Sequence, residues 1–234
     1  MRRILLAALL TLTIPLGGCD SKSGKAAPAT TLPPLKDRTV DQILIATDTA
    51  FRASRSVRLV GSLVQQDQPM TVDMRVTADR KARGSITRGK VKLSLVRIGD
   101  KLWLRGASFW KGTLGAALAE RIGDRWVLVP DNVLAASGGS LSALTDMDGI
   151  ASQIISPEPG ADINKGPLAS VNGVSAVQLT DAQAGSTLYV AADGTPYPLR
   201  LSPKQSGKTA GQRLDFTEYD RAVSIRAPKD VVKL

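Results

Sequence analysis

The chain has 234 residues, 43% of them hydrophobic, with 31 lysines and arginines against 21 aspartates and glutamates, a formal charge of +10 at pH 7. It contains no histidine and a single cysteine, which excludes a Ser-His-Asp triad, a Cys-His pair, any His-ligated metal site and an internal disulfide. One sizeable core is within reach of this length, and packing alone must hold it together.

Met1-Arg2-Arg3 precedes an apolar run from Ile4 to Leu16, and Gly17-Gly18 lead into Cys19. A charged start, an apolar stretch and small residues before a cleavage point describe a secretory leader. The run is interrupted by Pro15 and falls short of the about 20 apolar residues that cross a bilayer as a helix. Leu16-Gly17-Gly18-Cys19 resembles a lipobox, and that resemblance implies cleavage before Cys19 and a diacylglycerol on its sulfur. A plain secretory leader is the competing reading, but it would export an unpaired thiol. The expectation is a signal peptide over 1–18 and a protein anchored by Cys19 to the extracytoplasmic face of the cell membrane. Removing Arg2 and Arg3 with the leader leaves 29 basic against 21 acidic residues. Such a surface attracts anionic lipid head groups or wall polymers, although a merely solvated basic surface has the same composition. No basic stretch carries interleaved aromatics, so nucleic acid is not an expected partner.

Residues 19–38 combine the lipidated cysteine with a stretch rich in proline and small residues, without apolar periodicity, and read as a flexible tether. Fully extended, it spans up to roughly 60 Å. The remainder, 39–234, reads as one domain. Thr39 with Gln42 fits a capping box, and Val40, Ile43, Leu44, Thr47, Ala50, Phe51 and Ser54 form one stripe of a helix through about Ser54.

Strand patterns follow. Met70, Val72, Met74 and Val76 alternate with polar residues, as do Val91, Leu93 and Leu95. Gly99-Asp100 marks a turn between Leu93–Ile98 and Lys101–Arg105, and Arg125 to Val129 reads as a short strand. Two helices are predicted, at Thr113–Arg121 and at Ser140–Ile155 with Ser140 as its N-cap. Strand patterns resume at Val174–Thr180, Ser186–Ala191, Tyr197–Leu201, Gln212–Tyr219 and Ala222–Arg226, with Asp193-Gly194 as a hairpin signal. Hairpin spacing without alternating helices argues an antiparallel sheet with a few helices on one face, an α+β architecture.

The segments Val96-Arg97-Ile98-Gly99-Asp100-Lys101-Leu102-Trp103-Leu104, Phe109-Trp110 and Trp126-Val127-Leu128-Val129 resemble, in order and spacing, the actinobacterial LppX/LprG-type lipoproteins and more distantly the carrier LolA. So do Asn172-Gly173-Val174, Leu188-Tyr189-Val190, Gly194-Thr195-Pro196-Tyr197-Pro198-Leu199-Arg200-Leu201 and Phe216-Thr217-Glu218-Tyr219-Asp220, leading to Val223 and Ala227-Pro228. The likeness covers roughly 39–234. It implies a strongly curved antiparallel half-barrel with helices on its concave face. It also implies, in some members, a hydrophobic cavity for acyl chains and a role in binding or shuttling lipids across the envelope. The family supplies no catalytic residues.

A lipid pocket needs apolar surface left unfilled by the protein itself. The faces Met70, Val72, Met74, Val76 and Val91, Leu93, Leu95, together with Leu114 and Leu118, qualify as ligand wall and equally as ordinary core. Trp110, beside Phe109, is either a rim at the pocket mouth or a pin holding its loop to the core. Lysines or arginines at the mouth would meet a lipid head group. Asp146-Met147-Asp148-Gly149 resembles the opening of a calcium loop but lacks the further acidic ligands and closing Glu, so no metal is assigned. No cofactor is called for, and no hydrolase or phosphate-loop motif occurs in a fitting context. The leading expectation is a non-catalytic, lipid-anchored protein that binds a hydrophobic ligand. The alternative is an interaction module of the same fold without a cavity, docking onto envelope proteins or the wall.

Overall fold

Period-two alternation places Met70, Val72, Met74 and Val76 inward and Thr71, Asp73 and Arg75 outward, and the same logic builds most of a single sheet. The computed structural model describes residues 32–65, 68–129, 144–205, 207 and 211–233; the expected leader, Cys19 and most of the expected tether lie outside them. Pro33–Leu234 forms one compact unit. Its strands are β1 (Ser56–Gln65), β2 (Gln68–Thr77), β3 (Lys81–Arg88), β4 (Val91–Ile98), β5 (Lys101–Arg105), β6 (Trp126–Leu128), β7 (Ile163–Val171), β8 (Val174–Asp181), β9 (Thr187–Ala191), β10 (Pro198–Ser202), β11 (Arg213–Thr217) and β12 (Val231–Lys233).

They make a twelve-stranded sheet in the order β12-β6-β5-β4-β3-β2-β1-β11-β10-β9-β8-β7. Every pairing is antiparallel except β12 with β6. Laid flat, twelve strands would extend over about 50 Å. Yet residues of β2, β4 and β5 share one buried cluster with residues of β8 and β9. The sheet therefore curves, and the helices lie on the side that holds this cluster. The fold is α+β, a curved, mostly antiparallel, unclosed sheet with helices on one face.

Helix α1 (Val40–Ala53) begins as its capping box dictates: the Gln42 N–H donates to Thr39 Oγ1 at 3.3 Å and the Thr39 N–H to Gln42 Oε1 at 3.1 Å. Ile43, Thr47 and Phe51 bury one face completely, and the Thr47 hydroxyl donates to the Ile43 carbonyl at 2.7 Å, so its burial leaves no orphaned donor. The helix expected at Thr113–Arg121 is two short ones, α2 (Ala107–Leu114) and α3 (Ala116–Ile122), separated by Gly115. Trp110, at 1% exposure, anchors α2 in the core.

The helix expected from Ser140 also differs. Ser140 is outside the described residues, 144–146 are not helical, and α4 (Met147–Ile150) starts after an Asp146 cap before continuing as a π-helical turn, Ala151–Ile155. Asp146 Oδ1 accepts the Gly149 N–H at 2.9 Å. The buried Arg97 fixes this corner, donating to Thr145 Oγ1 at 2.9 Å and to Asp146 Oδ2 at 3.3 Å. Asp148 pairs with Arg52. Both carboxylates of the calcium-like tetrapeptide thus serve as cap and ion-pair partners.

Residues Ala222–Arg226, expected as a strand, join no ladder. Instead Val223 and Ile225 pack on Val96, Trp103 and Trp126, making a second small core on the convex side of the sheet. No helix among the described residues is long and apolar enough to cross a membrane.

Candidate functional site

The residues proposed from sequence as ligand wall are placed as follows. Met70, Val72, Met74, Val76, Leu93, Leu95 and Trp110 are buried in the main cluster. Met74, Val76 and Leu95 have no exposed surface at all. Val91 and Leu114 are half-buried, and Leu118 is exposed. Phe109 and Trp110 meet edge to face at 4.9 Å, which seats Trp110 as a core pin.

Among the described residues, unfilled apolar space is found at the other end of the sheet. A groove of ≈ 210 Å³ runs between the helices and β7–β10. Leu179, Leu188 and Ile155 form its buried floor, and Leu44, Ile154, Ile163 and Leu201 its half-buried walls. The rim is polar and acidic: Gln153, Ser156, Glu158, Asp181 and Ser186, with no lysine or arginine among the lining residues. The expectation of basic head-group contacts at the mouth is not met here. Asp181 Oδ1 is occupied by the N–H groups of Gln183 and Ala184, both at 2.8 Å, so it shapes the turn at the groove's end. Lys165 on β7 donates to the carbonyls of Lys36 and Arg38, at 3.0 and 2.8 Å. This contact ties the segment before α1 to the edge strand beside the groove.

Helix α1 is held over the groove by aromatic packing at its far end. Phe51 meets Phe216 at 6.2 Å and Tyr219 at 6.4 Å, both edge to face, and Tyr219 stacks flat on Tyr197 at 4.0 Å. The Tyr197 hydroxyl donates to Asp220 Oδ2 at 2.8 Å and the Tyr219 hydroxyl to the Pro198 carbonyl at 2.7 Å. Burial pushes the Tyr219 phenol well above its ordinary range and raises that of Tyr197, which the bond to Asp220 raises further. Asp220 also accepts the Arg55 backbone N–H at 2.6 Å, and this bond is the leading cause of its lowered pKa.

Glu218 collects Arg75, Arg58 and Arg221 on the convex side, at 2.6, 2.9 and 2.8 Å. Those bonds hold its carboxyl down to about 2, against an ordinary 4.5. Asp73, bonded twice by Arg58 at 2.8 and 2.9 Å, is lowered as well. A carboxylate depressed on folding contributes stability that is complete above its unfolded pKa and is lost as pH falls through the folded one. Stability is therefore expected to hold steady above about pH 5 and to decline from about 4.5 toward 2. Urea unfolding midpoints followed across this window check it, with a shallower decline expected in Glu218→Gln.

Among the described residues no group of three or more Cys, Asp or Glu side chains is disposed to hold a metal. The groove can bury an apolar chain. No protein-family model matches the chain, and no curated protein sequence matches it. Solved structures similar to it include an uncharacterized conserved protein from Thermus thermophilus, with 14% identity over 84% of this chain and 100% of that one at a TM-score of 0.44. Another is the MucA/MucB complex of Pseudomonas aeruginosa, with 18% identity over 76% of this chain and 55% of the matched chain at a TM-score of 0.35. A LolA superfamily protein from Nitrosomonas europaea is similar at 12% identity over 82% of this chain and 96% of that one, with a TM-score of 0.27.

Proposed function

We propose that this protein is a non-catalytic binding protein of the LppX/LprG type, anchored by Cys19 to the extracytoplasmic face of the membrane, that holds an acyl chain of a lipid or lipid-linked molecule. The observation that carries the reading is the apolar groove floored by Leu179, Leu188 and Ile155, which the chain's own described side chains leave unfilled. At ≈ 210 Å³ it is smaller than the roughly 300–1,000 Å³ of sites that enclose a drug-sized ligand. It fits one chain end rather than a whole lipid. Its acidic rim suits a neutral or cationic head group, because Glu158 and Asp181 would repel an anion placed there.

Full-length protein extracted from membranes is expected to carry lipid in native mass spectra and to take up a fluorescent fatty acyl probe. Ile154→Glu and Leu201→Trp, which charge or fill the groove at half-buried positions, are each expected to weaken the probe by about tenfold, roughly 1.4 kcal/mol, when measured on protein that is still fully folded. Wild-type protein that carries no lipid and takes up no probe overturns the reading. That result would support the second one, an interaction module, which the completely filled packing around Met74, Val76 and Leu95 favours.

A further inference from the structure

We propose that the convex face of the sheet carries a second site, separate from the apolar groove, that binds a phosphate-bearing anion. A groove of ≈ 330 Å³ crosses β2 to β6 there. At its centre Ser85 and Ser94 stand directly opposite each other in register, and neither hydroxyl has a hydrogen-bond partner among the described residues. Arg83, two positions along β3, and Lys92, two positions along β4, flank this pair from opposite ends. Both are exposed, and neither has an ion pair among the described residues. Arg105 faces Ser94 from β5 and lies over the Trp126 ring at 4.9 Å. Trp126 is itself wedged against the second core, which makes it a fixed wall.

The charge balance is what points to a ligand. Most arginines on this face are matched to carboxylates: Arg58 to Asp73 and Glu218, Arg75 to Glu218, and Arg200 and Arg213 to Asp215. Arg83 and Lys92, which line the groove, depart from that pattern. Of the four cations that line it, Arg75 is held by Glu218 and Arg105 lies 4.0 Å from Asp124, whereas Arg83 and Lys92 have no ion pair among the described residues, and the one carboxylate in the lining, Asp73, is engaged by Arg58 with both oxygens. Like charges held together repel, and an anion between them relieves the repulsion while gaining charge-assisted hydrogen bonds. Guanidinium groups match the paired oxygens of a phosphate, and the two serine hydroxyls supply neutral donors beneath it. The acidic rim of the apolar groove rejects the same group, so the two sites select opposite chemistries.

A phosphate of this kind is presented by an anionic lipid head group or by a soluble phosphoester, and two titrations distinguish them. The full chain is titrated with glycerol phosphate by calorimetry. It is also titrated with vesicles of phosphatidylglycerol, using phosphatidylcholine vesicles as the neutral reference. The Arg83→Gln/Lys92→Gln double variant is expected to bind about tenfold more weakly. Lys111→Gln/Arg121→Gln, an equal charge change on the exposed faces of α2 and α3, is expected to bind as the wild type does. This pattern with glycerol phosphate supports a soluble ligand, and the same pattern with phosphatidylglycerol alone supports a head group. If the two double variants weaken binding equally, or if the wild type binds in neither titration, the site does not exist as proposed.

Discussion

Phe51→Ala is expected to lower the stability of the domain by about 3–5 kcal/mol, the usual cost of emptying a fully buried phenylalanine site. Phe51 has no exposed surface and is the point at which α1 meets both Phe216 and Tyr219. Truncation removes apolar burial and two edge-to-face contacts, and it leaves a cavity whose walls are held in place. Tyr219 is fixed by its stack on Tyr197 and its hydroxyl by the Pro198 carbonyl, while Phe216 is locked into β11. Neither ring can collapse into the space, so the cost should lie high in the range. For a domain of this size the loss corresponds to roughly 6–20 °C in Tm. Urea unfolding should show a lower midpoint at unchanged m. Phe51→Leu, which keeps most of the volume, should cost about 1.5 kcal/mol or less. If Phe51→Ala costs no more than Phe51→Leu, α1 is not seated by this cluster. Because Leu44 on the same helix walls the apolar groove, the alanine variant should also weaken acyl-probe binding.

The segment Phe216-Thr217-Glu218-Tyr219-Asp220 shows how far a sequence can be read. Its aromatic and acidic residues are plain in the letters, but what each of them does is not. Phe216 and Tyr219 receive α1, Glu218 gathers three arginines, and Asp220 accepts the Arg55 N–H and the Tyr197 hydroxyl. Most of these partners lie more than 140 residues away in the chain, and no local pattern encodes them.

The same physics separates the strands that were legible from those that were not. β2 and β4 carry large side chains at every second position and announce themselves. β1 lies at the middle of the sheet, but its inward row is Val57, Leu59, Gly61, Leu63, and the glycine breaks the pattern. A Cβ at Gly61 would stand 2.0 Å from the Arg213 carbonyl oxygen, so the close approach of β11 excludes a side chain there. β3 is similar: its inward positions are Ala82, Gly84 and Ile86, and a Cβ at Gly84 would fall 2.1 Å from the Asp73 carbonyl oxygen. β7 contains Gly166 and Pro167 at a bulge, which an edge strand tolerates and a sequence pattern reads as a break. Ile163 is one wall of the apolar groove, whereas the strongest apolar alternation in the sequence belongs to β2 and β4, whose inward faces the fold buries. Leu44 is legible as a helical stripe residue, but its convergence with Ile154, Ile155 and β8–β10 is a property of the curved sheet.

Cys19→Ser is expected to move the protein from the membrane to the soluble fraction, and this is the largest effect the proposed function predicts. Two acyl chains, at about 0.8 kcal/mol for each buried methylene, hold a protein stably without any protein–lipid contact. The chain's excess of lysine and arginine supplies a second, weaker attraction to anionic lipid, and the two differ in their response to salt. Electrostatic attraction is screened over about 8 Å at physiological ionic strength and over about 3 Å at 1 M, whereas burial of acyl chains is not screened. Wild-type protein should therefore remain with membranes through a 1 M salt wash and partition into detergent. Cys19→Ser should leave the membrane in the same wash, and any part retained at low salt should fall further in Arg83→Gln/Lys92→Gln if the convex groove meets lipid head groups. Cys19→Ser protein that stays with the membrane at high salt would show that something other than this thiol holds it there. The anchor reading would then fail, while the apolar groove and the convex basic groove would remain open to their own tests.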